Sequence, residues 1–311
     1  RLPCTVPVLQ RASARTVRLP LLLLAGLLSS LALPQAAHAE TVVERAARTG
    51  VITMGGRTDM PPYSFLKGGK EPVGYAIDVG RLIEAEVSRY LNRPVRVEFT
   101  EVQDPATLFQ QVSRGELDLA CGAQFTWERD MFVDFSIPFS LSGIRVLTRS
   151  GGVDGTPASL AGKRIAVVKG SLGEAAIRKV QPAARLVPVA GLQQGVAELT
   201  AGRVDGVAGD SVILASSVNQ QGLKGLQLVP AEGFARYAMG CIMPENNSTF
   251  RNLVNLAIAQ MAQGYVNGDP AATAMVNRWL GPQGMLGLPP EIIKAYFLTV
   301  LLNHEQIRVP A

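Results

Sequence analysis

Histidine is nearly absent from this sequence. There are two, His38 and His304, and both stand close to an end of the chain. A histidine general base in the body of the protein is therefore excluded. Cysteine is scarce as well, at three, and no Cys/His cluster has metal-ligand spacing. The G-x-S-x-G elbow, the dinucleotide fingerprint and the phosphate loop G-x-x-x-x-G-K-[ST] are all missing. Most acid, base and nucleophile players of hydrolase chemistry are thus lacking. The chain reads as no enzyme, with no cofactor and no metal.

Acidic residues are missing from positions 1–39, which hold Arg1, Arg11, Arg15 and Arg18. Taking those four from the 30 basic residues leaves 26 against 25 acids, a net of +1. That balance gives no case for a nucleic-acid surface. The same segment carries the apolar run LPLLLLAGLLSSLAL, Leu19 to Leu33, behind Arg11, Arg15 and Arg18. Its 15 residues fall short of the about 20 needed to span a bilayer. Small residues at Ala37 and Ala39 follow. The pattern is that of a cleavable signal peptide, residues 1–39, with cleavage near Ala39 and a periplasmic mature protein. Nothing later is long and apolar enough to span. Cys4 leaves with the leader. Cys121 and Cys241 either pair, as exported cysteines do, or sit as small buried thiols in neighbouring strands.

From residue 51 onward, strand and helix patterns alternate. VITMGG (Val51–Gly56) reads as a buried strand and Ile77–Leu91 as a helix with Ile77, Leu82, Ile83 and Val87 on one face. VRVEFTEV, LFQQVSRG and LDLACG continue the alternation. After the break SGGVDGTP (Ser150–Pro157) a second set follows: RIAVVKG, SLGEAAIRKV, ARLVPVA, GVAELTAG, VDGVAGD and SVILASSV. Such alternation implies an α/β chain with a parallel sheet. RGELDLACG and AGRVDGVAGD echo each other, and Asp118 and Asp205 within them read as structural residues at strand starts. The last part offers a strand (MGCIM), a long helix from Phe250 to Gly264, a helix ending in NRWLG, and a proline-containing tail.

Ligands in open α/β sheets sit beyond the carboxyl ends of the strands, and four such junctions are polar here. Arg57 follows VITMGG in the loop GGRTDMPPYSF and is either a surface cation or a cleft residue. Arg129 follows Thr126, a plausible N-cap. A cation in a first turn opposes the helix dipole by about 0.3–1 kcal/mol, which suits an arginine that holds a carboxylate in bidentate fashion. Ser171 and Glu174 have capping-box spacing, and the Ser171 hydroxyl with the Leu172 amide also form an anion-binding helix start. Asp210 is either an N-cap or an acceptor for an ammonium. Two carboxylate holders and one ammonium holder describe a site for an α-amino acid.

On these residues the mature chain resembles the family 3 extracellular solute-binding proteins, the amino-acid receptors of ABC importers. The likeness runs in order through PPYSF, VGYAIDVGRLIEAE, GELDLACG, T-x-x-R with VDFSIPF, SLAGKRIAVVKGS, GRVDGVAGDS and NRWLG. The resemblance implies a two-lobed type II periplasmic-binding-protein fold with two hinge crossings and the ligand in the interlobe cleft. Lobe 1 would take residues 40–145, lobe 2 146–237, and 238–311 would return to lobe 1 and end in the tail. It further implies that Arg129, Ser171 and Leu172 hold the ligand α-carboxylate, Asp210 the ammonium, Gln124 a backbone amide contact and Gly122 a carbonyl contact. Arg57 resembles the arginine of the glutamate/aspartate-binding subgroup, which meets a side-chain carboxylate. The chain departs from that subgroup at Thr107 and Leu108, where a basic residue is common, at Leu192 in place of a histidine, and at Asp104–Pro105 in place of a stacking aromatic. Glutamate, aspartate and their amides all stay open as ligands. The expected partners are a free amino acid and membrane permease subunits, with the protein itself a monomer. The competing readings are a cyclohexadienyl-dehydratase-like enzyme using Glu174 as acid, and a ligand-sensing domain.

Overall fold

The computed structural model describes residues 40–68 and 71–305. The expected leader and its cleavage point lie outside the described residues. Helix α1 (Val42–Thr49) begins at Thr41, whose hydroxyl accepts from Glu44 N while the Glu44 carboxylate accepts from Thr41 N at 2.8 Å. Strand β1 (Val51–Gly56) follows. The stretch expected to be a plain loop instead forms a small antiparallel sheet of β2 (Asp59–Met60), β3 (Ser64–Leu66) and β4 (Pro72–Val73). Helix α2 (Tyr75–Leu91) buries Tyr75, Ala76, Val79, Ile83 and Val87, a face rotated from the expected one, with Ile77 and Leu82 half-buried. Full burial of each large aliphatic contributes about 1.5–3 kcal/mol. The helix stops at Asn92 in the left-handed region, φ 50°, ahead of Pro94.

Next come β5 (Arg96–Glu101), α3 (Pro105–Ser113), β6 (Ala120–Gln124), α4 (Trp127–Asp130), β7 (Asp134–Phe135) and the long β8 (Ser140–Arg149). The second set is α5 (Pro157–Leu160), β9 (Arg164–Val168), α6 (Leu172–Val180), β10 (Arg185–Val189), α7 (Leu192–Thr200), β11 (Gly206–Asp210), α8 (Ser211–Gln220) and β12 (Leu226–Val229). The chain closes with β13 (Ala235–Met243), α9 (Ser248–Asn267), α10 (Pro270–Trp279) and α11 (Pro290–Glu305).

The expected all-parallel sheet is corrected to a mixed one. Strand β9 pairs in parallel with β10 and β11, and β1 with β5. Strand β8, however, runs antiparallel to β11, and β13 runs antiparallel to both β8 and β6. The large sheet therefore reads β10-β9-β11-β8-β13-β6. Two crossing strands that pass in opposite directions produce the antiparallel centre. The expected boundaries at 145/146 and 237/238 fall inside β8 and β13, which are hydrogen-bonded to each other over Ser140–Ile144 and Ala235–Met239.

The β9–β11 end shows how period two splits a strand between layers. Ala166, Leu147 and Val207 pack with Val196, Leu199 and Leu214 of α7 and α8. Ile165, Val167, Val146 and Ala208 pack on the other face with Leu160 and Ile177 of α5 and α6. Asp118 and Asp205 share one device at the two ends. Asp118 Oδ2 accepts from Thr53 N at 2.8 Å while Asp118 N donates to Thr53 O. Asp205 Oδ2 accepts from Arg164 N at 2.8 Å while Asp205 N donates to Arg164 O. Each also meets an arginine, Arg45 and Arg164.

The last segment returns to α2. Trp279 Nε1 donates to the buried carboxylate of Asp78 at 2.8 Å, joining the NRWLG and VGYAIDVG motifs. The tail is a helix rather than an irregular extension: α11 seats Ile293, Phe297 and Val300 in the core, with Phe297 edge-on to Tyr265 at 5.5 Å. No helix among the described residues is long and apolar enough to cross a membrane.

Candidate ligand site

A cavity of about 410 Å³ lies beyond the carboxyl ends of β1, β6, β9 and β11, the place where open α/β sheets take ligands. Its volume is in the range of small-molecule sites. Arg57, Gly122, Gln124, Arg129, Ser171, Leu172 and Asp210, scattered over 154 positions of sequence from 57 to 210, all line it.

Arg129 sits on α4, whose N-cap Thr126 accepts from Arg129 N at 3.2 Å. Its guanidinium donates from Nη1 to Gln124 O at 2.9 Å. It forms no ion pair among the described residues. Burial pushes its pKa down from the usual arginine value, the mark of a cation short of a counter-charge.

Asp210 is the opposite pole. It ends β11 and caps α8: Oδ1 accepts from Val212 N at 2.9 Å and from Ile213 N at 3.0 Å, and Oδ2 from Gln124 Nε2 at 2.9 Å. It is 6 % exposed and faces no lysine or arginine within ion-pair distance among the described residues. Burial raises its pKa above the usual carboxylate value, against the pull of those amide donors. Gln124 thus touches both poles, with its backbone oxygen on Arg129 and its side chain on Asp210. Sequence reasoning singled out only its backbone amide. Gly122 holds φ 92°, a backbone conformation that residues with a Cβ rarely adopt, so glycine is what lets β6 present its backbone to the cavity in this way.

Ser171 is the N-cap of α6 and its hydroxyl accepts from Glu174 N at 3.2 Å. The expected capping box is corrected: Glu174 Oε2 accepts from Gly170 N at 2.7 Å, not from Ser171. The Ser171 O–H and the first-turn amides of Leu172 and Gly173 have no partner within the helix, and all three residues line the cavity.

Arg57 also lines the cavity, is buried and is already occupied. Its Nε and Nη2 donate to the two oxygens of Asp59 at 2.8 and 2.6 Å, Nη2 also donates to Ala190 O at 2.9 Å, and Nη1 donates to Gln103 O. Asp59 was not among the sequence candidates. The signal was present in the R-x-D spacing, since residues two apart in extended chain share a face. Ser64 and Gln110 are further polar lining residues, and most of the rest is apolar, with Met60, Leu108, Phe109, Leu192, Ile213 and Met239. Cys121 also lines the cavity and is bonded to Cys241, with the sulfurs 2.06 Å apart.

A mixed α/β chain with two antiparallel crossings and a charged cleft at its strand ends defines a two-lobed, type II solute-binding fold. The model of the bacterial extracellular solute-binding proteins, family 3, matches residues 52–282, and the chain belongs to that family, whose members serve amino-acid ABC importers. It is 26 % identical over 239 residues to the glutamate/aspartate import solute-binding protein of Salmonella typhimurium, covering 72 % of this chain and 78 % of that one. It is 22 % identical over 245 residues to the L-cystine-binding protein TcyJ of Escherichia coli, covering 78 % and 87 %. Among solved structures it resembles an ancestral arginine-binding protein bound to glutamine, at 26 % identity and TM-score 0.64, covering 75 % of this chain and 98 % of that one.

Proposed function

We propose that this protein captures a free L-amino acid in the periplasm and delivers it to the permease subunits of an ABC importer. One observation carries the reading: Arg129 and Asp210 present opposite, unneutralised charges to a single cavity. An α-amino acid is a zwitterion and supplies both missing counter-charges at once. Its carboxylate takes the Arg129 guanidinium from one side and the Ser171 hydroxyl and Leu172 amide from the other. Its ammonium takes Asp210. Gly122 and Gln124 contribute backbone contacts, and the side chain runs toward Arg57. The side-chain class proposed is acidic or amide: glutamate, aspartate, glutamine or asparagine. The part built on β1 and β6 and the part built on β9 to β11 form the two lobes, and closure bends β8 and β13. The protein works as a monomer.

The dehydratase reading needs a protonated acid in the cleft. Glu174 does not fit, since it lies off the cavity lining, pairs with Arg178 at 2.7 Å and has its pKa lowered by that partner.

A thermal-shift screen of residues 40–311 against the common amino acids tests the reading. A ligand that binds only the native state stabilises it by about 2.7 kcal/mol at 100 times its Kd. A shift with at least one α-amino acid is expected, and a flat screen overturns the assignment.

A further inference from the structure

The geometry points to Asp59 as the residue that sets the charge class of the ligand's side chain: it occupies Arg57 from within the chain, so the part of the cavity that the two line takes an uncharged amide rather than a carboxylate. This rests on the amino-acid reading above and narrows it.

A guanidinium has five N–H donors, and four of those on Arg57 are in use, two on Asp59 and one each on Ala190 O and Gln103 O. The two parallel bonds to one carboxylate are the arrangement that a ligand carboxylate would otherwise make. Arg57 is withdrawn from water and Asp59 is half-buried, with the side chains 7 % and 26 % exposed, so their attraction is screened less than that of a surface pair.

The charge balance of the whole cavity agrees. Its charged lining residues are Arg57, Asp59, Arg129 and Asp210, two of each sign. A zwitterion with an uncharged side chain leaves that balance at zero. A glutamate adds a negative charge with no free cation to meet it and sets it beside Asp59, a like-charge contact. An amide meets neither objection. Its NH2 can donate to the Asp59 oxygens, which have spare lone pairs, and its carbonyl can accept the last Arg57 N–H.

The pair is also built in rather than incidental. Asp59 Oδ2 lies where a Cβ on Gly191 would stand, 2.0 Å from it, and Arg57 Nη2 lies 2.8 Å from the same point. Gly191 is the N-cap of α7 and offers no side-chain cap. Its missing Cβ is what admits the Asp59 carboxylate to this position.

The test is calorimetric titration of residues 40–311 at neutral pH with glutamine, glutamate, asparagine and aspartate, for the wild type, Asp59→Asn and Asp59→Ser. The wild type is expected to bind an amide at least about tenfold more tightly than the corresponding acid. Each variant frees Arg57 and is expected to shift that ratio about tenfold or more toward the acid. A wild type that prefers the acid overturns the proposal, whatever the variants do. So does an unchanged ratio in a variant that still binds. The second variant guards against a first that does not fold, as judged by circular dichroism. Absence of binding by every common α-amino acid is a different failure, because it removes the receptor reading beneath this one.

Discussion

Two arginines line the same cavity and live under opposite conditions. Arg57 is nine-tenths buried yet has its charge met by Asp59 and all but one of its N–H donors held by Asp59 and two backbone carbonyls. Arg129 is less enclosed, but it has a single carbonyl partner and no acid. Burial alone therefore does not mark a binding residue. What marks Arg129 for the role proposed is the counter-charge left out, which a ligand carboxylate would bring.

The sharpest break of this comparison is Arg129→Ala. Removing one partner of a buried charge pair costs about 2–5 kcal/mol, so titration should show amino-acid binding lost while circular dichroism stays native. Unchanged affinity would reject the clamp. Next is pH. Asp210 has a raised pKa in the free protein, so its protonated form favours folding, and that contribution fades as pH rises through the raised value. Binding follows the reverse sign, because an ammonium needs the ionised carboxylate. Affinity should hold at neutral pH and fall on acidification, starting above the ordinary aspartate range near pH 4, and Asp210→Asn should flatten the curve while weakening binding by about 1.5–3 kcal/mol.

Arg57→Ala should do less to a neutral ligand and more to an acidic one. It leaves Asp59 as an unpaired, half-buried carboxylate, a loss of about 1–3 kcal/mol that appears in thermal stability as well as in glutamate titrations. Equal losses for glutamine and glutamate would say that the Arg57–Asp59 pair does not face the ligand's side chain. The smallest effect belongs to Ser171→Ala, about 0.5–2 kcal/mol from the lost cap of α6, with a matching decrease in affinity where its hydroxyl reaches the carboxylate.

The poles were legible in the sequence because strand ends announce themselves. VITMGG runs into Arg57, LDLACG leads to Gln124 two residues on and VDGVAGD ends at Asp210, and T-x-x-R and S-x-x-E are cap patterns with local causes. Strand β8 was not legible. Its inward residues include Ser140, Ser142 and Thr148, all buried, so no apolar alternation shows. Two of the three have distant partners: Tyr63 Oη lies 3.0 Å from Ser140 Oγ, and the Thr148 hydroxyl donates to Asp205 O. Without β8 the antiparallel centre of the sheet could not be foreseen. Helix α11 was hidden for a similar reason, since its burying surface is α9. Asp59 was missed because its meaning lies in a partner two residues away and in a glycine 132 positions later.

The bond between Cys121 and Cys241 spans 120 positions and closes everything from β8 to β12 into one covalent ring. A molecule stretched from its two ends would carry tension through that bond, and the ring would hang slack beside the load. In a single-molecule pulling experiment the oxidised protein should therefore extend less than the reduced one by about 400 Å of contour.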